Sequence, residues 1–381
     1  MRFFIAALAI VLLAASPAPQ LTGTWQGTLN APGIGKLPRV MRISKRGGVY
    51  DVKIYSTQES DVPIATRNVT VNGSTVTMKF DMNTDPWMDY HRIYRATLSK
   101  DGKSITGLWS GVDLGKLPMI YHRTGPVAIH AFAPVSDMYV TVAAGVRDEV
   151  LDWGGTGRPI VLLAGQGVTA RGWRPILPDL IKKYHVYAIT RRGFGNSTKP
   201  PATAANYDAA RLGEDVLAVL DRLHIEKPIL VGHSIAGEEL SYIGTNAPNR
   251  AAALIYLDAA YDQAYNAGIP TPPPSTPPPG YPSPSPIDKA IDNNIGDFKS
   301  VIKLPILAFF AYPTDMKPQP GISQTDIDEW NTFTKKQIQA FKKGQPNAKV
   351  VVLPNADHFV YISNTAEVLH DIDAFIASLD R

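Results

Sequence analysis

The stretch Ile229-Leu230-Val231-Gly232-His233-Ser234-Ile235-Ala236-Gly237 constrains the fold more than any other part of the chain. Its apolar opening reads as a buried strand. The strand breaks at small residues, and the chain restarts as Glu238-Glu239-Leu240-Ser241-Tyr242-Ile243, which reads as a helix. A serine sits on the break. A strand-to-helix turn this tight strains the backbone at Ser234, so the residues two positions to either side, Gly232 and Ala236, have to be small. The turn lifts the Ser234 hydroxyl clear of a sheet. It also aims the Ile235 N–H, at a helix start, toward any negative charge that develops there. The same letters would serve as an ordinary turn with a capping serine, so the rest of the chain has to decide between the two.

A length of 381 residues favours two domains, and 44% hydrophobic with 19% charged residues suits a globular protein with a sizeable core. The net charge is only +4 and no Lys/Arg-rich run exists, which argues against a nucleic-acid partner. The absence of cysteine excludes disulfides, zinc-thiolate sites and thiol catalysis. At the N-terminus Arg2 precedes an apolar run over residues 3–15 and then Ser16-Pro17-Ala18-Pro19. That layout predicts a secretory signal peptide over residues 1–20 and an exported protein, periplasmic or secreted. The run is short for a bilayer span, so no membrane span is expected after its removal; an uncleaved anchor helix is the alternative. Nothing in the sequence indicates an oligomeric state.

Residues 21–134 alternate apolar and polar in short runs: Tyr50, Val52 and Ile54; Val76, Met78 and Phe80; Tyr94, Ala96 and Leu98. Asn72-Gly73 and Asp101-Gly102 are hairpin dipeptides. The pattern predicts a small all-β domain of about eight strands, a barrel or a sandwich. Gly23-Thr24-Trp25-Gln26-Gly27 and Gly107-Leu108-Trp109-Ser110-Gly111 flank it. Their tryptophans read as core residues; the sharper reading is a domain that binds an apolar ligand or positions substrate. His91, His122 and His130 are scattered without metal-ligand spacing.

From residue 135 to 381 apolar strands alternate with helical stretches, the sign of a parallel sheet. A hairpin is expected over residues 138–143 and 147–153. Strands are expected at 159–163, 186–189, 253–257, 306–310 and 350–353. Helices are expected at 173–183, 209–223 and 367–379.

With the elbow in place, this region resembles the α/β-hydrolase family in its Gly-His-Ser-x-x-Gly variant, in which the triad runs serine, acid, histidine along the chain. The resemblance implies a mostly parallel sheet flanked by helices, preceded here by the small barrel-like β-domain. It implies Ser234 as nucleophile and His358, in Asn355-Ala356-Asp357-His358-Phe359-Val360, as its base. His233 would point away from the nucleophile, His370 sits mid-helix, and Asp357 reads as solvated. The usual place for the acid is the loop after the penultimate strand, which makes Asp315 the choice; Asp258, at the end of the preceding strand, and Asp262 are the alternatives. The family's strand ending in His-Gly-x matches Ala164-Gly165-Gln166, so the backbone N–H of Gln166 joins that of Ile235 as oxyanion donor. Arg192-Gly193-Phe194-Gly195-x-Ser197 matches the family's Arg-Gly-x-Gly-x-Ser loop, where the arginine is structural.

The implied function is a serine hydrolase that cleaves an ester or related acyl bond of a small molecule through an acyl-enzyme, with no cofactor and no metal. A serine aminopeptidase of the proline-iminopeptidase kind, or a non-catalytic binding protein on the same fold, are the alternatives. Gly165-x-Gly167-x-x-Ala170 also satisfies a loose dinucleotide fingerprint, but the next strand ends Ile189-Thr190-Arg191 with no acid for a ribose. Between residues 262 and 304, where the family carries its cap, ten prolines fall between Pro270 and Pro286. That tract favours extended polyproline II. It predicts a short lid, followed by a helical piece over about 287–302.

Overall fold

The computed structural model describes residues 20–31, 35–56, 60–81, 91–111, 115–127, 134–272, 285–314, 316–318 and 323–379. The expected signal peptide apart from Gln20, most of the proline tract, His130 and Asp315 lie outside them.

Eight antiparallel strands open the chain: β1 (Gly23–Ala31), β2 (Gly35–Arg46), β3 (Val49–Ser56), β4 (Ser60–Asn72), β5 (Thr75–Asp81), β6 (His91–Leu98), β7 (Ser104–Gly111) and β8 (Gly115–Thr124). Each pairs with the next, and β8 pairs back onto β1 (Gly27 opposite Tyr121), which closes a barrel. Alternation along each strand sends Met41, Ile54, Val76, Met78 and Tyr121 into one buried core. Trp25 and Trp109 belong to that core. Trp25 Nε1 donates to the Leu21 carbonyl at 3.0 Å, and the Arg123 guanidinium lies over its ring at 4.1 Å. The neighbouring glycines permit this packing: a Cβ on Gly27 would lie 2.4 Å from the Ile120 carbonyl oxygen.

The second sheet has eight strands in the order β16-β15-β14-β13-β11-β12-β10-β9. Here β9 (Ser136–Ala143) and β10 (Val146–Gly154) form an antiparallel hairpin. The others are β11 (Pro159–Leu163), β12 (His185–Thr190), β13 (Ile229–His233), β14 (Ala253–Leu257), β15 (Ile306–Ala311) and β16 (Ala348–Leu353), all mutually parallel. Helices α1 (Leu177–Leu180), α2 (Ala204–Tyr207), α3 (Ala209–Arg222), α4 (Gly237–Asn246), α5 (Pro286–Asp292), α6 (Gln324–Gly344), α7 (Val360–Ser363) and α8 (Thr365–Ser378) connect them. One face of the sheet packs on α1, α7 and α8 through residues such as Leu177, Tyr361 and Phe375. The other packs on α3, α4 and α6 through Val216, Leu240 and Phe341. Both faces are covered, which is why β11, β13, β14 and β15 are almost continuously apolar.

Two helical expectations change and one helix is new. The helix expected over residues 173–183 is a 3-10 turn (Ala170–Trp173) followed by the single turn of α1, because Pro175 and Pro178 each remove a backbone donor. The piece expected over 287–302 ends at Asp292. The 21-residue α6 was not anticipated; it is announced by a capping box, Ser323 with Asp326, and buries Ile327, Thr334, Ile338 and Phe341 at helical spacing.

Candidate active site

The strand order reverses around β11, and the carboxyl ends of the strands on either side form the crevice where a doubly wound sheet holds its ligands. Ser234 follows β13 directly. Its φ is +55°, the left-handed region that a β-carbon disfavours. Close packing holds it there. A Cβ on Gly232 would lie 3.0 Å from the Ala236 Cβ, and one on Gly237 only 2.0 Å from the Ala259 carbonyl oxygen. On the other side, a Cβ on Gly165 would lie 2.7 Å from His233 Nδ1 and 3.3 Å from the Ser234 Cβ. The loop after β11 is thus pressed against the elbow, and the backbones of Gln166 and Ile235 flank the serine.

His358 lies in the loop after β16. Its Nδ1 stands 2.6 Å from Asp258 Oδ2; the imidazole is half-exposed and the carboxylate buried. Asp258 follows β14 with φ +47°, a second left-handed turn that brings its side chain back over the strand ends. The other carboxylate oxygen accepts from the Tyr261 hydroxyl at 2.6 Å and from the Ala311 N–H at 2.8 Å. Burial and the Asp258 charge push the Tyr261 phenol well above its ordinary range, so it stays a donor. The ring nitrogen that Asp315 was expected to hold is therefore engaged by Asp258, while Asp315 itself lies outside the described residues. The parallel pairing of β14 with β15 supplies the reason, since it delivers the Ala311 amide onto the Asp258 carboxylate.

His233 is buried, but it is not idle. Its Nε2 lies 2.9 Å from the His358 carbonyl oxygen, and the two rings are 4.6 Å apart. Burial, then the nearby His358, push its pKa well below the ordinary value, so the ring is neutral. A carbonyl only accepts, which places the proton on Nε2. Asp357, expected to be solvated, is buried and accepts from the Phe359 N–H at 2.7 Å, fixing the turn that carries His358.

Two supports were not legible in the sequence. Ala164 stands where the family has a histidine, and the Arg191 guanidinium supports that loop instead, donating to the Ala164 carbonyl at 2.9 Å while its Nε pairs with Glu239 at 2.5 Å. Arg191 is therefore committed, which removes the cation that a dinucleotide phosphate would need. Arg192 is structural as expected, gripping both oxygens of Asp215 at 2.5 and 2.6 Å. The second support is α5. The Gln166 side chain donates to Asp288 Oδ1 at 3.1 Å, Asp292 lines the same cavity, and the Ile235 side chain shares an apolar cluster with Ala290 and Ile291.

Ser234, Gln166, Ile235, Asp258 and His358 line one cavity of about 560 Å³, together with Tyr261, Asp262, Asp292, Met316, Trp330 and Phe333. Among the described residues no cluster of three His, Asp or Glu has the geometry of a metal site. His370 lies exposed on α8.

Residues 160–371 match the sequence model of the alpha/beta hydrolase family. The chain is 34% identical over 122 residues to 2-hydroxymuconate semialdehyde hydrolase of Pseudomonas sp. (strain CF600), covering 31% of this chain and 42% of that protein. It is 42% identical over 91 residues to epoxide hydrolase A of Mycobacterium tuberculosis (strain ATCC 25618 / H37Rv), covering 23% of this chain and 28% of that protein. The matched stretch thus spans less than half the length of these relatives. A putative aryl esterase from Burkholderia cenocepacia superposes with a TM-score of 0.50 at 19% identity, over 64% of this chain and 99% of that one, a likeness of fold. With the family match spanning more than half of its length, the chain belongs to the alpha/beta hydrolase family.

Proposed function

We propose that this hydrolase cleaves carboxylic esters of small molecules through an acyl-enzyme on Ser234. In this reading His358 Nε2 takes the hydroxyl proton as Ser234 attacks the carbonyl carbon. Asp258 holds the imidazole in the tautomer with Nδ1 protonated and stabilises its charged form. The N–H groups of Gln166 and Ile235 receive the developing oxyanion. The alcohol leaves with the proton from His358; a water, deprotonated by the same ring, then attacks the acyl-enzyme and releases the acid.

The observation that carries the reading is the short bond between His358 and buried Asp258, on a ring that opens into the same cavity as the left-handed Ser234. The named relatives differ in what they hydrolyse, so the acyl-transfer reading rests on the serine, imidazole and carboxylate of the cavity and not on them.

The test is Ser234→Ala on a panel of p-nitrophenyl esters. Turnover should fall by about three orders of magnitude or more with the fold unchanged. A fluorophosphonate probe should label the unaltered chain and not the variant. Near-normal hydrolysis by the variant would sink the assignment, and a wild-type chain that stays unlabelled would favour a binding protein.

A further inference from the structure

Both groups offered as oxyanion donors are backbone amides, and backbone amides are only as well placed as the segments that carry them. The elbow side is held by close packing at Gly232 and Gly237. The other side, the Gly165-Gln166 peptide, lies in a loop with no helix of its own before Ala170. What reaches that loop from across the crevice is α5, the first described element after the proline tract.

Three contacts tie α5 to the oxyanion residues. Gln166 Nε2 donates to Asp288 Oδ1 at 3.1 Å. The Asp292 carboxyl, one turn further on, lines the same cavity as Gln166, and the amide beside it offsets part of the rise in pKa that burial imposes. On the adjoining face Ile291, fully buried, and Ala290 pack with the Ile235 side chain. The helix is itself anchored where it begins: Asp288 Oδ2 accepts from the Ser285 N–H at 2.9 Å, and Ser285 Oγ accepts from the Asp288 N–H at 3.1 Å. One carboxylate therefore closes the N-terminal capping box of α5 with one oxygen and takes the Gln166 amide with the other.

We infer that α5 positions the oxyanion hole, with Asp288 and Asp292 acting through the side chain of Gln166. The inference rests on the serine-hydrolase reading of this cavity. The Gln166 side chain touches no reacting atom in it; its work is to hold the peptide whose N–H does. A displacement of α5, at the end of the proline tract, would then loosen the transition-state contact and leave Ser234 and His358 in place. Binding of the neutral substrate carbonyl and of the charged intermediate would part company, because only the second depends strongly on donor geometry.

The experiment uses the full chain and p-nitrophenyl butyrate. Gln166→Ala keeps the backbone N–H and removes the tether. It should lower kcat by roughly tenfold, short of the ~10²–10³ that loss of a whole donor costs, with KM within about twofold. The affinity for a phenylboronic acid, which forms a tetrahedral adduct on the serine, should fall by the same factor. Asp292→Ala should give part of that loss, and Asp292→Asn, which still presents an oxygen to the Gln166 amide, should recover it. In the Gln166→Ala background Asp292→Ala should have no further effect on kcat. The inference is overturned if Gln166→Ala leaves kcat unchanged, if KM and not kcat carries the effect, or if the two substitutions add. If Ser234→Ala remains active the underlying reading has failed instead, so the two failures are distinguishable.

Discussion

Replacing Asp258 by asparagine isolates the electrostatic role of one carboxylate with almost no change of shape. Three donors converge on it: His358 at Oδ2, and the Tyr261 hydroxyl and Ala311 N–H at Oδ1. An asparagine has one oxygen to give. The Ala311 amide is a buried backbone donor that cannot reverse its role, and leaving it unmet costs about 1–3 kcal/mol. The asparagine oxygen therefore takes the Oδ1 position and its NH₂ faces His358. That forces Nδ1 of the imidazole to accept, so the proton sits on Nε2, the nitrogen that has to be empty to receive the Ser234 proton. The expected loss in kcat is about 10⁴-fold, or roughly 5.5 kcal/mol of barrier, with KM little changed and the fold intact. Steady-state hydrolysis of p-nitrophenyl butyrate, with circular dichroism as a check on folding, measures it. Turnover within tenfold of the unaltered chain would refute the tautomer argument. Should Asp315→Asn show the large loss in its place, the acid would be Asp315.

Two other outcomes follow from groups around the cavity. Glu238 is buried, its Oε1 accepts from the Gly296 N–H at 3.3 Å, and burial reinforced by Glu239 pushes its pKa up to about 9. Folded chains hold that proton while unfolded chains release it near the ordinary carboxylate range, so stability from this group is present below about pH 4–5 and is lost as pH rises toward 9. In urea titrations at pH 5, 7 and 9, Glu238→Gln should gain on the unaltered chain by up to ~1.4 kcal/mol per pH unit; parallel curves would refute it. The cavity is lined by Asp258, Asp262 and Asp292 and by no lysine or arginine among the described residues. Esters whose acyl chain ends in a carboxylate should therefore show kcat/KM about tenfold or more below that of neutral isosteres, a gap that narrows in high salt. Equal efficiency would mean that the carboxylates do not face the substrate.

Where the sequence was legible, the signal was local. The elbow and the His358 loop each lie within a few residues, and each carries small residues that its own turn requires. The acid was different. Asp258 and Asp315 both follow strands of the same sheet, and what brings the Asp258 carboxylate to His358 is a left-handed backbone together with an amide donated from the neighbouring strand; no local pattern encodes that. The same holds for Arg191, whose partners Ala164 and Glu239 lie 27 and 48 residues away. Alternation in the first region showed half-buried strands but not closure, because a barrel and a sandwich share that period. Helix α6 carries its own local signal, a capping box at Ser323 and Asp326 followed by apolar residues at helical spacing.

Closure of the first sheet has a consequence for assembly. A strand pairs with a stranger only where its outward N–H and C=O groups are unmet, and in the first sheet the return of β8 to β1, over Thr24–Gly27, leaves little such margin. The second sheet does have margins, at β9 and β16. On β9, Tyr139 stands about half exposed with the Arg147 guanidinium over its ring. Ribbon-like addition of another chain is thereby steered away from the barrel and toward these two borders.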